Sequence, residues 1–452
     1  MLLAALAASA FTVLGPDGQA SVRVLSAGAC PSLRVDGRMQ PSRERVGPAS
    51  VAARPDSAQA ERQDAVFPSR VCELALARGA QRVQLGAQRL PQAPARVTRF
   101  VVLGDSGCRL KGSEGRFQDC ADPAAWPFAA VARAAARLHP QLVVHLGDLH
   151  YRESPCPDSQ PGCRQSPWGY GEAAWRADLF TPAAPLLAAA PWVFVRGNHE
   201  SCARAGVGWF RFLASEPWTP VRACVDPARD STADFSTPYA VPLGGAQQLI
   251  VFDSARVSGK AYAAQDPAML RYQQDLASVA QLATRARANL FLSHHPILGL
   301  GPAKDEGRGA PGPSVLGLAS AARALYPDSL LPPGITLAMH GHVHLFEALD
   351  FSSAHVPTVV AGNSGSAREG ALPATLDSTQ LPFADTDLAH FYTHAEYGFT
   401  LFERAGAGWR ITPYDRTGRA LAHCRQQGAS LRCTASQEAQ HAVAGVEVRQ
   451  VR

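Results

Sequence analysis

Six residues able to bind a metal stand where apolar segments of this 452-residue chain run out: Asp105, Asp148, Asn198, His294, His342 and His344. Phe100 to Leu103 leads to Asp105, for example, and Ile335 to Met339 leads to His342 and His344. In open α/β sheets ligands gather beyond the carboxyl ends of strands, so residues distant in sequence converge there. A glycine before Asp105, Asp148, Asn198 and His342 permits a sharp exit from the sheet. Carboxylate and amide oxygens mixed with imidazoles suit a transition metal such as Fe, Mn or Zn. Two carboxylates, one amide and three histidines exceed the needs of one ion. A pair of ions ~3.5–4 Å apart uses them all if one carboxylate bridges. His145 and His340 lie inside apolar runs and read as core histidines.

The elements that must position these residues alternate from Val97 onward between strand and helix, which argues an α/β architecture. Strands are expected at Phe100 to Leu103, Leu142 to Leu146, Val193 to Val195, Leu249 to Phe252, Leu290 to Leu292 and Ile335 to Met339. Helices are expected over Ala124 to Leu138 and Tyr272 to Arg287, and short strands after Val359. The organisation expected is a signal segment at 1–20, a small β-rich accessory domain at 21–95, a catalytic domain at 96–412 and an appendage at 413–452. The accessory part rests on two β-like patches, Leu33-Arg34-Val35 and Arg82-Val83-Gln84-Leu85.

Composition narrows the class. With 46% hydrophobic and 18% charged residues the chain reads as globular rather than disordered or fibrous. The net charge is +5, and of 43 basic residues only Lys111, Lys260 and Lys304 are lysines. The arginines are scattered, so no nucleic-acid face is expected. No apolar run reaches the ~18 residues of a membrane span. Ten cysteines fall as sequence neighbours without a CxxC, which fits local disulfides in an oxidising compartment. An apolar start, Met1 to Ala8, running into Ala8-Ser9-Ala10 fits a cleavable export signal, with Gly18-Gln19-Ala20 as a second cleavage point. A periplasmic or secreted protein is expected.

Five segments carry a family resemblance: Gly104-Asp105-Ser106-Gly107, Gly147-Asp148-Leu149-His150-Tyr151, Gly197-Asn198-His199-Glu200, the histidine after Leu290 to Leu292, and Gly341-His342-Val343-His344. In this order they resemble the motifs of calcineurin-like metallophosphoesterases and, more narrowly, of purple acid phosphatases. Gly107 stands where the wider family carries a histidine ligand, and Tyr151 where purple acid phosphatases carry a tyrosinate. The resemblance implies a two-sheet β-sandwich flanked by helices, a four-layer αββα arrangement. It implies Asp105, Asp148, Tyr151 and His344 around a first ion, Fe(III), and Asp148, Asn198, His294 and His342 around a second, divalent Fe, Zn or Mn. In the His294-His295-Pro296 run it places the ligand first.

The implied reaction is hydrolysis of small phosphoric monoesters by a metal-bound hydroxide. His199 is expected to protonate the leaving group and Glu200 to orient His199. Phosphodiester hydrolysis on nucleotides or phospholipid head groups is the alternative within the same chemistry, and a non-catalytic, metal-stabilised module the alternative outside it. His150 and Arg152 border the second motif and are candidates to meet phosphate; Asp253 and Asn363 are strand-end candidates for supporting roles. The segment Ile297 to Ser314 lacks the extra histidines of plant relatives and offers Lys304, Asp305, Glu306 and Arg308 instead. Oligomeric state is not legible.

Overall fold

The strand Arg99–Leu103 is apolar on both faces: Phe100 and Val102 point one way, Val101 and Leu103 the other, and all four are buried. Such a strand needs cover on both sides. The computed structural model, which describes residues 9–302, 312–313, 315–372, 386–436 and 449–450, supplies it with a second sheet on one face and helices on the other.

An eleven-stranded sheet runs, in spatial order, through Ser430–Ala435, Ala422–Gln427, Gly408–Asp415, Gly398–Ala405, Arg99–Leu103, Leu142–His145, Trp192–Phe194, Ser9–Leu14, Ala20–Ser26, Arg70–Ala75 and Arg43–Val46. Arg99–Leu103, Leu142–His145 and Trp192–Phe194 are parallel. An eight-stranded sheet has its own parallel centre, Gln247–Val251, Ala288–Ser293, Ile335–His340 and Thr358–Ala361.

The sheets pack face to face. Phe100, Val102, Val144 and Val193 of the first meet Leu249, Leu290, Leu337 and Val359 of the second in one buried cluster. The first sheet's outer face is covered by Phe128–Arg137, Ala184–Ala189 and Gly206–Phe212. The second is covered by Pro267–Ala283 and Gly317–Arg323. The result is the expected four-layer αββα sandwich. Both long helices begin near proline: Pro127 precedes the first, and Pro267 opens the second while the Asp266 side chain accepts the Ala268 N–H at 2.8 Å.

The ends of the chain differ from expectation. Residues 1–8 lie outside the described residues. Ser9–Leu14, expected within the export segment, instead form a strand inside the large sheet, antiparallel to Ala20–Ser26, with Phe11 and Val13 buried. A short apolar run reads alike as leader or as buried strand, and only packing separates them. Ala20–Ser26, Arg70–Ala75 and Ala422–Gln427 belong to the same sheet as Arg99–Leu103. The two N-terminal β-like patches pair with each other, Arg34 opposite Gln84, in a separate four-stranded sheet. The segment around Lys304 to Arg308 and residues 437–448 lie outside the described residues.

All five neighbouring cysteine pairs are disulfides: Cys30–Cys72, Cys108–Cys120, Cys156–Cys163, Cys202–Cys224 and Cys424–Cys433. Among the described residues no helix is long and apolar enough to cross a membrane.

Candidate metal centre

Where the parallel strands of both sheets end, their exit loops meet. Asp105 follows Arg99–Leu103, Asp148 and Tyr151 follow Leu142–His145, and Asn198 follows Trp192–Phe194. From the other sheet His294 follows Ala288–Ser293, and His342 and His344 follow Ile335–His340. Asp105, Asp148 and His342 have φ of 54°, 56° and 72°. Left-handed backbone at non-glycine residues costs ~1–3 kcal/mol and persists where the surroundings over-determine it, often at functional sites. The first two loops are laced together by Asp105 N donating to Gly147 O and Ser106 N to Asp148 O, both at 3.1 Å.

Two glycines are required by close approach. Gly147 has φ +95°, and a Cβ there would meet Gly197 N and His294 Nδ1 at 2.8 Å. A Cβ at Gly107 would lie 2.8 Å from Asp178 Oδ2, Leu149 O and Tyr151 N. No histidine fits at position 107 without displacing this backbone.

Two points of convergence define the centre. At the first, Tyr151 Oη lies 2.9 Å from Asp105 Oδ1, 3.0 Å from Asp148 Oδ2 and 2.9 Å from His344 Nε2. One phenol proton cannot serve three acceptors. His344 Nδ1 donates to Ala367 O at 2.6 Å, which directs its Nε2 lone pair inward. At the second, His294 Nε2 lies 3.1 Å from Asn198 Oδ1, 3.1 Å from Asp148 Oδ2 and 3.3 Å from His342 Nδ1. His294 Nδ1 is likewise held, by Leu146 O at 2.8 Å. Asp148 Oδ2 is common to both points, while its Oδ1 accepts the His199 N–H at 2.9 Å. A single carboxylate oxygen thus lies between two clusters of electron-pair donors that are short of protons. This donor set fits a pair of cations bridged by Asp148.

The electrostatics agree. Burial works against charge on His294, but the Asp148 carboxylate overrides it and lifts its pKa to about 9. Burial likewise opposes charge on His344, and its hydrogen bond to Asp105 raises it. Burial and then the Asp105 carboxylate push the Tyr151 phenol well above its ordinary value. A phenolate there therefore needs a cation beside it.

A family model for calcineurin-like phosphoesterases matches residues 98–346. The chain belongs to this family. The structure of this phosphoesterase is similar to that of purple acid phosphatase PPD1 from seeds of yellow lupin (Lupinus luteus). The TM-score is 0.52 at 13% identity, covering 95% of this chain and 74% of that one. It is also similar to that of PhoD, with a TM-score of 0.54 at 13% identity, covering 98% of this chain and 94% of that one. At such identity the likeness concerns the fold. No curated protein sequence matches the chain.

Several supporting residues stand elsewhere than the sequence suggests. Glu200 does not touch His199 through its carboxylate; it accepts the N–H groups of Asp148, Gly197, Leu149 and His150 at 2.8–3.1 Å and so shapes the Asp148 loop. The acid beside His199 is Glu153, whose Oε1 lies 3.1 Å from His199 Nδ1. Glu153 is also paired with Arg204 and Lys111, and Lys111 in turn reaches Glu61 at 2.7 Å. The Arg204 guanidinium lies 2.6 and 2.8 Å from the His199 ring nitrogens. Burial and then the Arg204 charge lower the His199 pKa to about 4.

His150 is bonded to Gly169 O at 3.0 Å, and Arg152 is buried against Asp178 at 2.6 Å, so neither reaches the cleft. Asp178 also accepts the N–H groups of Cys108 and Tyr151, fixing both loops from behind. His295 engages Ser254 Oγ through Nδ1 at 3.1 Å, although its ring lies 4.4 Å from that of His342. Asp253 caps Ala255 and lies 3.5 Å from Arg196, and Asn363 bonds Glu396 O. His145 and His340 are buried and bonded to Ser106 and Ser293. Glu153 and Arg204 were missed because nothing in their local sequence marks them. An acid five residues past Asp148 gains meaning only from its contact with His199.

Proposed function

We propose that this phosphoesterase is a dinuclear-metal hydrolase of small phosphoric monoesters, of acid-phosphatase type. The observation that carries the reading is the single oxygen, Asp148 Oδ2, within 3.0 Å of the Tyr151 phenol and 3.1 Å of His294. In this reading Asp105, Asp148, Tyr151 and His344 hold one ion, iron(III), and Asp148, Asn198, His294 and His342 hold a divalent Fe, Zn or Mn. Preference for iron rests on the phenol, a strong donor to that ion. When bound, such ions polarise the phosphorus, acidify an attacking water and neutralise charge on the equatorial oxygens.

The chain's own groups do the rest. Glu200 holds the Asp148 loop in place through four backbone amides, and His294 and His344 are turned toward the centre by their carbonyl partners. His199 Nε2, 3.7 Å from Asp148 Oδ2, is the general acid in this reading, with the Glu153 carboxylate 3.1 Å from Nδ1 favouring the imidazolium that the Arg204 guanidinium opposes. Because burial and then the Arg204 charge hold its pKa down, the imidazolium is populated only in acid, and an acidic working range is expected. Five disulfides support an oxidising compartment, periplasmic or secreted.

The test combines elemental analysis with hydrolysis of 4-nitrophenyl phosphate by the purified protein. Two metals per chain including iron, a visible tyrosinate charge-transfer band and monoester turnover are expected. A fully metallated chain that cleaves no phosphoester would end this reading.

A further inference from the structure

Arg109 is a cation placed in the mouth of the centre with binding capacity left over. Its backbone is pinned: its N–H donates to Gln118 Oε1 at 3.0 Å, its carbonyl accepts Gln118 N–H at 2.8 Å, and Cys108–Cys120 closes the loop around it. The side chain lies with Asp148, Tyr151, His199, His342 and His344 along the same cleft. Its guanidinium carbon is 5.3 Å from the centre of the Tyr151 ring.

Arg116 also lines this cleft, from an exposed position, whereas the other two cations are committed. Lys111 is claimed by Glu61 and Glu153, and Arg204 by Glu153. Arg109 makes only long ion pairs with Glu114 and Glu369, at 3.7 and 3.8 Å, beyond hydrogen-bond reach, and its other neighbour is the Tyr151 phenol. Among the described residues its Nε has no hydrogen-bond partner, although the side chain is only 8% exposed. A guanidinium this buried ordinarily has its donors taken. The fork geometry suits a phosphate oxygen pair.

We propose that Arg109 binds the substrate phosphate and selects monoesters over diesters. The inference rests on the hydrolase reading above. A monoester phosphate presents three non-bridging oxygens and close to two negative charges. Two of those oxygens are accounted for by a pair of cations, and the third, which a diester lacks, falls to Arg109.

The experiment uses the full-length, metal-loaded protein with Arg109→Ala, Arg109→Gln and Arg109→Lys. Inorganic phosphate binding is measured by calorimetry, and kcat/KM for 4-nitrophenyl phosphate and bis(4-nitrophenyl) phosphate. Arg109→Ala is expected to weaken phosphate binding about 10–100-fold and lower monoester kcat/KM by a similar factor. Diester turnover should change less than about 3-fold, and Arg109→Lys should recover part of the phosphate affinity. Unchanged phosphate affinity, or equal losses on both esters, overturns the proposal. If melting shows that Arg109→Ala does not fold, Arg109→Gln carries the same measurements. If the wild-type protein cleaves neither ester, the hydrolase reading falls, and the phosphate titration still decides Arg109.

Discussion

The eleven-stranded sheet brings Asp105, Asp148 and Asn198 to the centre, all oxygen donors, whereas the eight-stranded sheet brings His294, His342 and His344, all nitrogen donors. The oxygen side carries the charge and most of the backbone strain, with Asp105 and Asp148 both at positive φ. Its loops are correspondingly braced, by Glu200 through four amides and by Asp178 through two. The nitrogen side is braced by one carbonyl contact to each of two imidazoles, Leu146 O to His294 and Ala367 O to His344, and by the His342 N–H donating to Asp105 Oδ2 at 2.8 Å. Neither sheet offers all of the converging donors. The centre exists only where the two are docked, and the charged half needs the stronger scaffold because buried carboxylates repel one another until a cation arrives.

The sharpest way to break this comparison is Asp148→Ala. Both ions should leave together and kcat/KM should fall by ~10⁴-fold or more, a fraction of the acceleration enzymes supply. Retention of one ion with turnover, read by elemental analysis, would remove the bridge. His294→Ala, on the nitrogen side, should by contrast cost one ion and leave the other.

Tyr151→Phe comes next. The visible band should vanish while metal content falls less than in Asp148→Ala; an unchanged spectrum would take iron away from the phenol. Glu200→Gln tests the bracing itself. Loss of charge behind the Asp148 loop should lower metal affinity about 10–100-fold without changing the spectrum of the loaded protein. Equal metal affinity would mean that the four amides do not depend on a carboxylate.

The smallest effect lies away from the centre. Glu347 on the nitrogen-bearing sheet is buried with the Leu300 N–H as its partner, and burial lifts its pKa from 4.5 to about 8. The folded state therefore holds a proton that the unfolded chain releases between those values. Its contribution is present below about pH 4.5 and is lost as pH rises through 8. Glu347→Gln should flatten this decline by on the order of 5 kcal/mol, read as melting temperature against pH. Parallel curves for the two proteins would show that the proton is not held there.

Much of this was legible in the chain alone. Strand ends are read from apolar runs that stop at Gly-Asp, Gly-Asn or Gly-His, and the same pattern places donors at the carboxyl edge of a parallel sheet. Tyr151 for a histidine at position 107 was visible as a substitution of type, and Cys108–Cys120 as a short loop. The second rank of residues was not legible. Glu153 and Arg204 acquire a role only through His199, Asp178 through two loops it joins from behind, and Arg109 through the carboxylates that fail to reach it.

The sequence by itself determined which donors exist and the order in which strands deliver them, because alternation and punctuation by glycine are local properties of the chain. Tertiary structure alone decided which donors meet around Asp148 Oδ2, how far Glu114 and Glu369 stand from Arg109 and where Ser9–Leu14 belongs. Those depend on distances between segments hundreds of residues apart, set by how two sheets pack rather than by any neighbour in sequence.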